Sequence, residues 1–161
     1  MNADVLKDYR IKVYSVQSAD VVMAGRLLSG RTDLAVEFLA PCSHNEMLRR
    51  HGQARVSIGL SIGDAISTSL LEAMLMGTFP IQSNTSAWNE WVENGKTALI
   101  VPPDDPCAVA GAIRRAVADD ALVDGASRLN WETAVARLDE KAIRPRVIGM
   151  YEEVLLARRK S

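Results

Sequence analysis

Little in this chain points toward a metal, a membrane or a nucleic acid. Its only two cysteines, Cys42 and Cys107, lie far apart, outside any CxxC, with no histidine at ligand spacing. That disfavours a zinc site or a disulfide framework. The thiols are expected to be free and buried, as in a reducing compartment. Lys and Arg number 19 against 20 Asp and Glu, a formal net charge of −1. A phosphate-backbone binder shows a basic surplus, so nucleic acid is not an expected partner. Met1 to Arg10 is polar, with no apolar signal region, and no uninterrupted apolar run approaches transmembrane length. A soluble, cytoplasmic chain is expected. Arg158-Arg159-Lys160 is too short a basic cluster for more than peripheral membrane contact. Internal repeats, low-complexity tracts and interdomain linkers are also missing.

What is present is ordinary globular material. Of 161 residues, 48% are hydrophobic and 24% charged. That suits one domain over residues 1–161 with a sizeable core. Short apolar runs alternate with helical patterns. The runs are Ile11 to Val16, Leu34 to Leu39, Val56 to Leu60, Phe79 to Gln82 and Ala98 to Val101. Helical stretches fall at Ala19 to Ser29, at His44 to His51, at Leu70 to Met76 before Gly77, and around Trp88 and Trp91. A further helix is capped by Asp105 with Pro106 at its first position, where no amide hydrogen is needed. Val109, Ala112, Ile113, Ala116 and Val117 form its apolar stripe. Residues 119–161 read as C-terminal helices anchored by Trp131 and Tyr151.

Repeated strand–helix alternation implies βαβ units, hence an α/β fold with a Rossmann-like, doubly wound parallel sheet of about five strands. Ligands in this class bind beyond the carboxyl ends of the strands, where strand order reverses. In the order 2-1-3-4-5 that switch lies between the first and third strands. The loop after the third strand is therefore the expected binding segment.

That segment runs from Ser61 to Gly77. Its helix is apolar nearly all round, and Glu72 is its only charge. A buried carboxylate is costly unless paired or hydrogen-bonded, so Glu72 demands a partner. One reading is a capping box, Ser69-x-x-Glu72. The other is that Glu72 accepts hydrogen bonds from two adjacent ribose hydroxyls, for which a carboxylate's paired oxygens suit. Amides of Ser67, Thr68, Ser69 and Leu70 at the helix start would favour a diphosphate. Asp64 lies eight positions before Glu72, bracketing that anion site. With 20 acidic residues such a pair arises by chance, so specificity rests on the surrounding residues.

Those surroundings are specific. Asp64-x7-Glu72, running through Leu70-Leu71-Glu72-Ala73-Met74 to Gly77, resembles the acid-x7-acid signature of retaining GT-B glycosyltransferases of family 4, the glycosyl transferases group 1. The resemblance continues through Phe79 to Ser83, Asn89 to Gly95 and Leu99 to Pro106. It is fainter through Asn130-Trp131-Glu132 and Met150-Tyr151-Glu152. Before Ala54 it rests on strand–helix order.

The resemblance implies the C-terminal, donor-binding half of a GT-B fold. Glu72 would hold the donor ribose. Asp64 would contact the transferred sugar as the catalytic acidic residue. Amides of Ala65, Ile66, Ser67, Thr68, Ser69 and Leu70 would bind sugar and diphosphate. The co-substrate would be a nucleoside-diphosphate sugar, transferred with retention in glycan or polysaccharide synthesis. No metal or other cofactor is expected. The resemblance also implies what is missing: an N-terminal acceptor domain, and a first strand–helix unit whose loop supplies basic residues to the diphosphate. Gly25-Arg26-Leu27 falls inside a helical stretch, so Arg26 reads as a solvated surface residue. Without the missing unit, the strands must close into a continuous sheet or leave unpaired edges, which invite a homodimer. Asp64 also stands where glutamate is usual.

His44 and His51 read as surface or capping residues, and Trp88 as a packing residue rather than a base platform. Arg114 and Arg115 lie off their helix's apolar stripe and read as solvated. Two rival functions stay open: a sugar-nucleotide epimerase or phosphorylase-like enzyme of the same fold, and a non-catalytic interaction module with a residual nucleotide site.

Overall fold

The computed structural model describes residues 3–16, 18–32, 34–63 and 65–159. All five expected strands form: β1 (Arg10–Val13), β2 (Ala35–Phe38), β3 (Val56–Gly59), β4 (Phe79–Ser83) and β5 (Leu99–Val101). The helices are α1 (Ala19–Thr32), α2 (His44–Gly52), α3 (Thr68–Met76), α4 (Pro106–Ala118), α5 (Asp120–Leu138) and α6 (Glu140–Arg159). Every pairing is parallel, aligning Arg10 with Ala35, Val56 with Phe79 and Ile81 with Leu99. The α/β class with C-terminal helices is as the sequence predicts.

The sheet is not continuous. β1 and β2 form a two-stranded sheet, and β3-β4-β5 a three-stranded one. Between them lies a cleft of about 620 Å³, lined by Arg10 to Lys12 of β1 and Val56 to Ile58 of β3. Met47, Arg50 and His51 of α2 and Ile113 and Val117 of α4 also line it. The unpaired-edge alternative is the one realised. Strand patterns are local, whereas closing two sheets requires the facing edges to reach hydrogen-bonding register.

The three-stranded sheet carries the core. Side chains alternate across it, as strands require. Leu99 and Val101 join Phe79, Ile81, Ala112, Ala116, Val123 and Ala126 on one face. On the other, Ile100 packs with Ala98, Leu70, Met74, Val92 and Ala134. β4 has neighbours in every direction and is buried at all five positions.

Helix ends follow local chemistry. The Asp105 carboxylate accepts from the Cys107 and Ala108 amides at 2.9 and 3.0 Å, capping α4 as expected. Gly77 ends α3 at φ 76°, where a side chain is disfavoured. A Cβ there would also meet Ser127 Oγ at 2.7 Å.

Two expectations are corrected. Cys42 and Cys107 are free but exposed, because each lies in a solvent-facing loop or first helical turn. Trp131 and Tyr151 are 51% and 70% exposed, so neither is a buried anchor. The buried stripe of α5 is Val123, Ala126, Asn130 and Ala134, one step off Trp131. Asn130 is the tie, its Nδ2 donating to the Thr97 carbonyl at 2.8 Å. No helix among the described residues is long and apolar enough to cross a membrane.

Candidate functional site

The segment after β3 crosses the carboxyl ends of β3 and β4 before entering α3. Ser83 Oγ and Thr85 Oγ1 donate to the Ser61 carbonyl at 2.6 and 2.5 Å, and the Ala87 amide donates to the Ala65 carbonyl at 2.7 Å. The loop is thus fastened to the turn beyond β4. Below it, Gly59 lets Gln82 approach, since a Cβ there would meet Gln82 Oε1 at 2.7 Å. Gln82 is buried, and its Nε2 has no hydrogen-bond partner among the described residues.

The start of α3 is open. Ser67 is its N-cap, with extended φ and ψ of −72° and 123°, yet its side chain makes no capping bond. The Leu70 and Leu71 amides donate to the Ser67 carbonyl at 3.1 and 3.3 Å, so the amides of Thr68 and Ser69 are the first-turn donors left for an outside acceptor, and the macrodipole adds partial positive charge. Thr68 is exposed and Ser69 half-buried, whereas Leu70 turns into the core. Ala65 is exposed and Ile66 packs partly against the same cluster. Asp64 lies outside the described residues.

Glu72 is not in a capping box. Helix α3 starts two residues earlier than that pattern requires, so Ser69 already sits within the first turn. Instead the carboxylate, 14% exposed, meets two imidazoles of α2. His44 Nδ1 lies 3.3 Å from Oε1 and His51 Nε2 lies 3.5 Å from Oε2. His44 is 67% exposed and His51 only 4%. His51 is therefore no surface residue. Burial pushes its pKa below the usual 6.5, partly opposed by the Glu72 charge. Its ring also meets Tyr14 edge-on, centroids 5.9 Å apart. Among the described residues no group of three or more His, Cys, Asp or Glu side chains is arranged to hold a metal ion.

A signal for the pair was present in the sequence. His44 and His51 stand seven positions apart in a short helix, about two turns, and so share one face. The lone charge of the next helix needed a partner. Other residues fall as expected. Trp88 packs against the cluster containing Leu70 and Met74. Arg26, Arg114 and Arg115 are exposed. Beside the site, Arg137 stacks over Trp91 at 3.7 Å and donates to the Glu90 carbonyl.

No curated protein sequence matches the chain. Among solved structures, sucrose-phosphate synthase from Thermosynechococcus elongatus superposes with a TM-score of 0.78 at 24% identity, over 96% of this chain and 41% of its own. HepE from Anabaena, solved with UDP-glucose, gives 0.77 at 17% identity, over 94% of this chain and 44% of its own. The C-terminal domain of the glycosyl transferase group 1 family protein LpcC from Francisella tularensis gives 0.73 at 16% identity, over 84% of this chain and 74% of that one. These likenesses establish a Rossmann-like half of a GT-B fold. The chain spans less than half the length of the first two proteins. The sequence profile described as Glycosyl transferases group 1 matches residues 10–119, more than half of the 161. The chain belongs to that family.

Proposed function

We propose that this chain is the donor-binding half of a retaining glycosyltransferase, which transfers a sugar from a nucleoside-diphosphate sugar in glycan or polysaccharide synthesis. In this reading the diphosphate rests on the open start of α3, against amides from Ala65 to Leu70. Glu72 accepts from the ribose hydroxyls. Asp64 reaches the transferred sugar. No metal takes part, and helix partial charge stabilises the departing diphosphate. The observation that carries the reading is Glu72, the one carboxylate of α3, placed beside an uncapped helix start at the carboxyl ends of the strands. HepE holding UDP-glucose on the same fold supports the ligand class. The balanced charge fits a cytoplasmic domain with at most peripheral membrane contact.

The acceptor side belongs to a second domain, and closure of two domains supplies much of the proximity such catalysis needs. Alone, the chain should bind nucleotide weakly and turn over little. Amide NMR titration of the intact chain with uridine, guanosine and adenosine diphosphates, and with their sugars, tests this. Shifts centred on Thr68 to Leu70, weakened by Glu72→Ala, are expected. Silence of those amides toward every ligand would discard the reading.

A second reading, that the strand edges pair with another copy of the chain, is favoured by the cleft between β1 and β3. Free edges are templates for pairing. Light scattering at rising concentration should then show a dimer, and a strict monomer would remove this reading.

A further inference from the structure

The imidazoles on Glu72 have a task that a ribose-binding carboxylate alone does not explain. An ionised carboxylate offers about four acceptor positions over its two oxygens. His44 approaches Oε1 at 3.3 Å and His51 approaches Oε2 at 3.5 Å. Each oxygen keeps one position for a second donor. A vicinal diol supplies two hydroxyl donors side by side.

We infer that His51, assisted by His44, is a positioning residue that sets the Glu72 carboxylate to accept from both ribose hydroxyls at once. This rests on the reading of Glu72 as the ribose acceptor. Three observations support it. His51 is only 4% exposed, so its ring has little freedom. Its backbone is fixed too, because the His51 carbonyl accepts from Thr78 Oγ1 at the turn between α3 and β4. Finally, its buried Nε2 forms no well-aligned hydrogen bond among the described residues, although Glu72 lies close. A small turn of the carboxylate on ligand binding would complete that bond. Unmade hydrogen bonds of buried groups are costly, so ligand binding and completion of the bond reinforce each other.

Arg10, Lys12 and Arg55 line the same cleft as the ring. Glu72 faces it from α3, and Tyr14 from the segment after β1. His44 and Arg50 lie on its own helix, with Arg50 Nε turned to Glu46 Oε1 at 3.1 Å. Neutral His51 must carry its proton on Nε2, and His44 on Nδ1, for each to donate to Glu72.

The test compares ribose with deoxyribose. The intact chain is titrated by NMR with uridine diphosphate and 2′-deoxyuridine diphosphate, and with the guanosine and adenosine pairs. The unmodified chain should favour the ribose form by about tenfold, the worth of one good hydrogen bond. Glu72→Gln and His51→Ala should bring that ratio toward one, with affinity for the deoxy form, which keeps its 3′-hydroxyl on Glu72, falling less than affinity for the ribose form. His44→Ala should do so partially. His51→Gln, which keeps a side-chain donor, should recover part of it. In the absence of nucleotide, the His51 ring should titrate at still lower pH in Glu72→Gln, because the charge that raises its pKa is gone.

If the ribose preference collapses in Glu72→Gln but persists in folded His51→Ala and His51→Gln, the inference is overturned and the reading of Glu72 stands. If the unmodified chain shows no preference, or Glu72→Gln leaves it intact, the reading of Glu72 falls and the inference with it. An unchanged His51 titration in Glu72→Gln also overturns it. Should His51→Ala not fold, His51→Gln and His44→Ala decide.

Discussion

The chain's two phenylalanines sit in two unlike halves. Phe79 lies in β4 with helices over both faces and is fully buried. Phe38 ends β2 and is half-buried, packed against α1. Its ring presses on Gly25, where a Cβ would come within 2.3 Å of Phe38 Cζ. The burial patterns of β1 and β2 alternate between exposed and half-buried, while β4 is buried throughout. Even α1 has no buried residue, and it exposes Val21, Met23, Leu27 and Leu28. Burial of apolar surface is the main stabilising term in folding, so equal strand propensity yields very unequal strength here. The candidate site stands on the strong half. The weak half flanks the cleft.

Phe79→Ala should cost about 3–5 kcal/mol, the range for emptying a packed aromatic site. Phe38→Ala should cost roughly half as much, since less of its ring leaves water on folding. Urea denaturation of both variants measures the gap, and equal losses would erase the distinction between halves. Hydrogen exchange gives the same contrast without mutation. Amides of β4 and β5 should exchange near the global unfolding rate, and those of β1 and β2 much faster.

Gly77→Ala comes next in size. At φ 76° an L-residue is disfavoured by about 1–2 kcal/mol. The added methyl must also displace Ser127 Oγ, which lies 2.7 Å from its position. Thermal melts should show a lowered midpoint for Gly77→Ala and a smaller change for the open position Gly125→Ala, where a Cβ meets nothing within 4 Å. Asp105→Ala removes a cap that holds two amides and should cost about 1 kcal/mol.

The strong half was largely legible in the sequence. Asp105-Pro106 marked a helix start, Gly77 a helix end, and β4 and β5 were short apolar runs between turn residues. Those signals are local, and helix caps and strand runs obey local chemistry. The helix of the candidate site, apolar with one charge, was legible as well. Its partners were not, because His51 reaches Glu72 only once α2 packs on α3, a tertiary event. The capping-box pattern at Ser69 misled for a related reason. The helix began at Thr68, so the short-range partner gave way to a long-range one. The break between the two sheets was foreseen as one of two outcomes, since edge register is not written in any single strand. Trp131 misled because an aromatic residue attracts attention, whereas the buried stripe of α5 is built from small residues around Asn130.

The smallest expected effect lies at the junction of the halves. His51 touches Tyr14 beyond β1 and Glu72 of α3, so it spans the boundary. Burial lowers its folded-state pKa below 6.5, with the Glu72 charge acting against the shift. The unfolded chain then binds more protons than the folded one below that pH, and stability rises with pH there. The contribution is complete above 6.5 and is lost as pH falls from 6.5 toward the lowered folded value. Urea midpoints across mildly acidic pH should therefore fall more steeply for the unmodified chain than for His51→Gln, which has no imidazole to charge. The loss should open the junction first, so exchange of β1 amides should quicken with acid before that of β4. Identical acid slopes in the two proteins would show that His51 does not couple the halves.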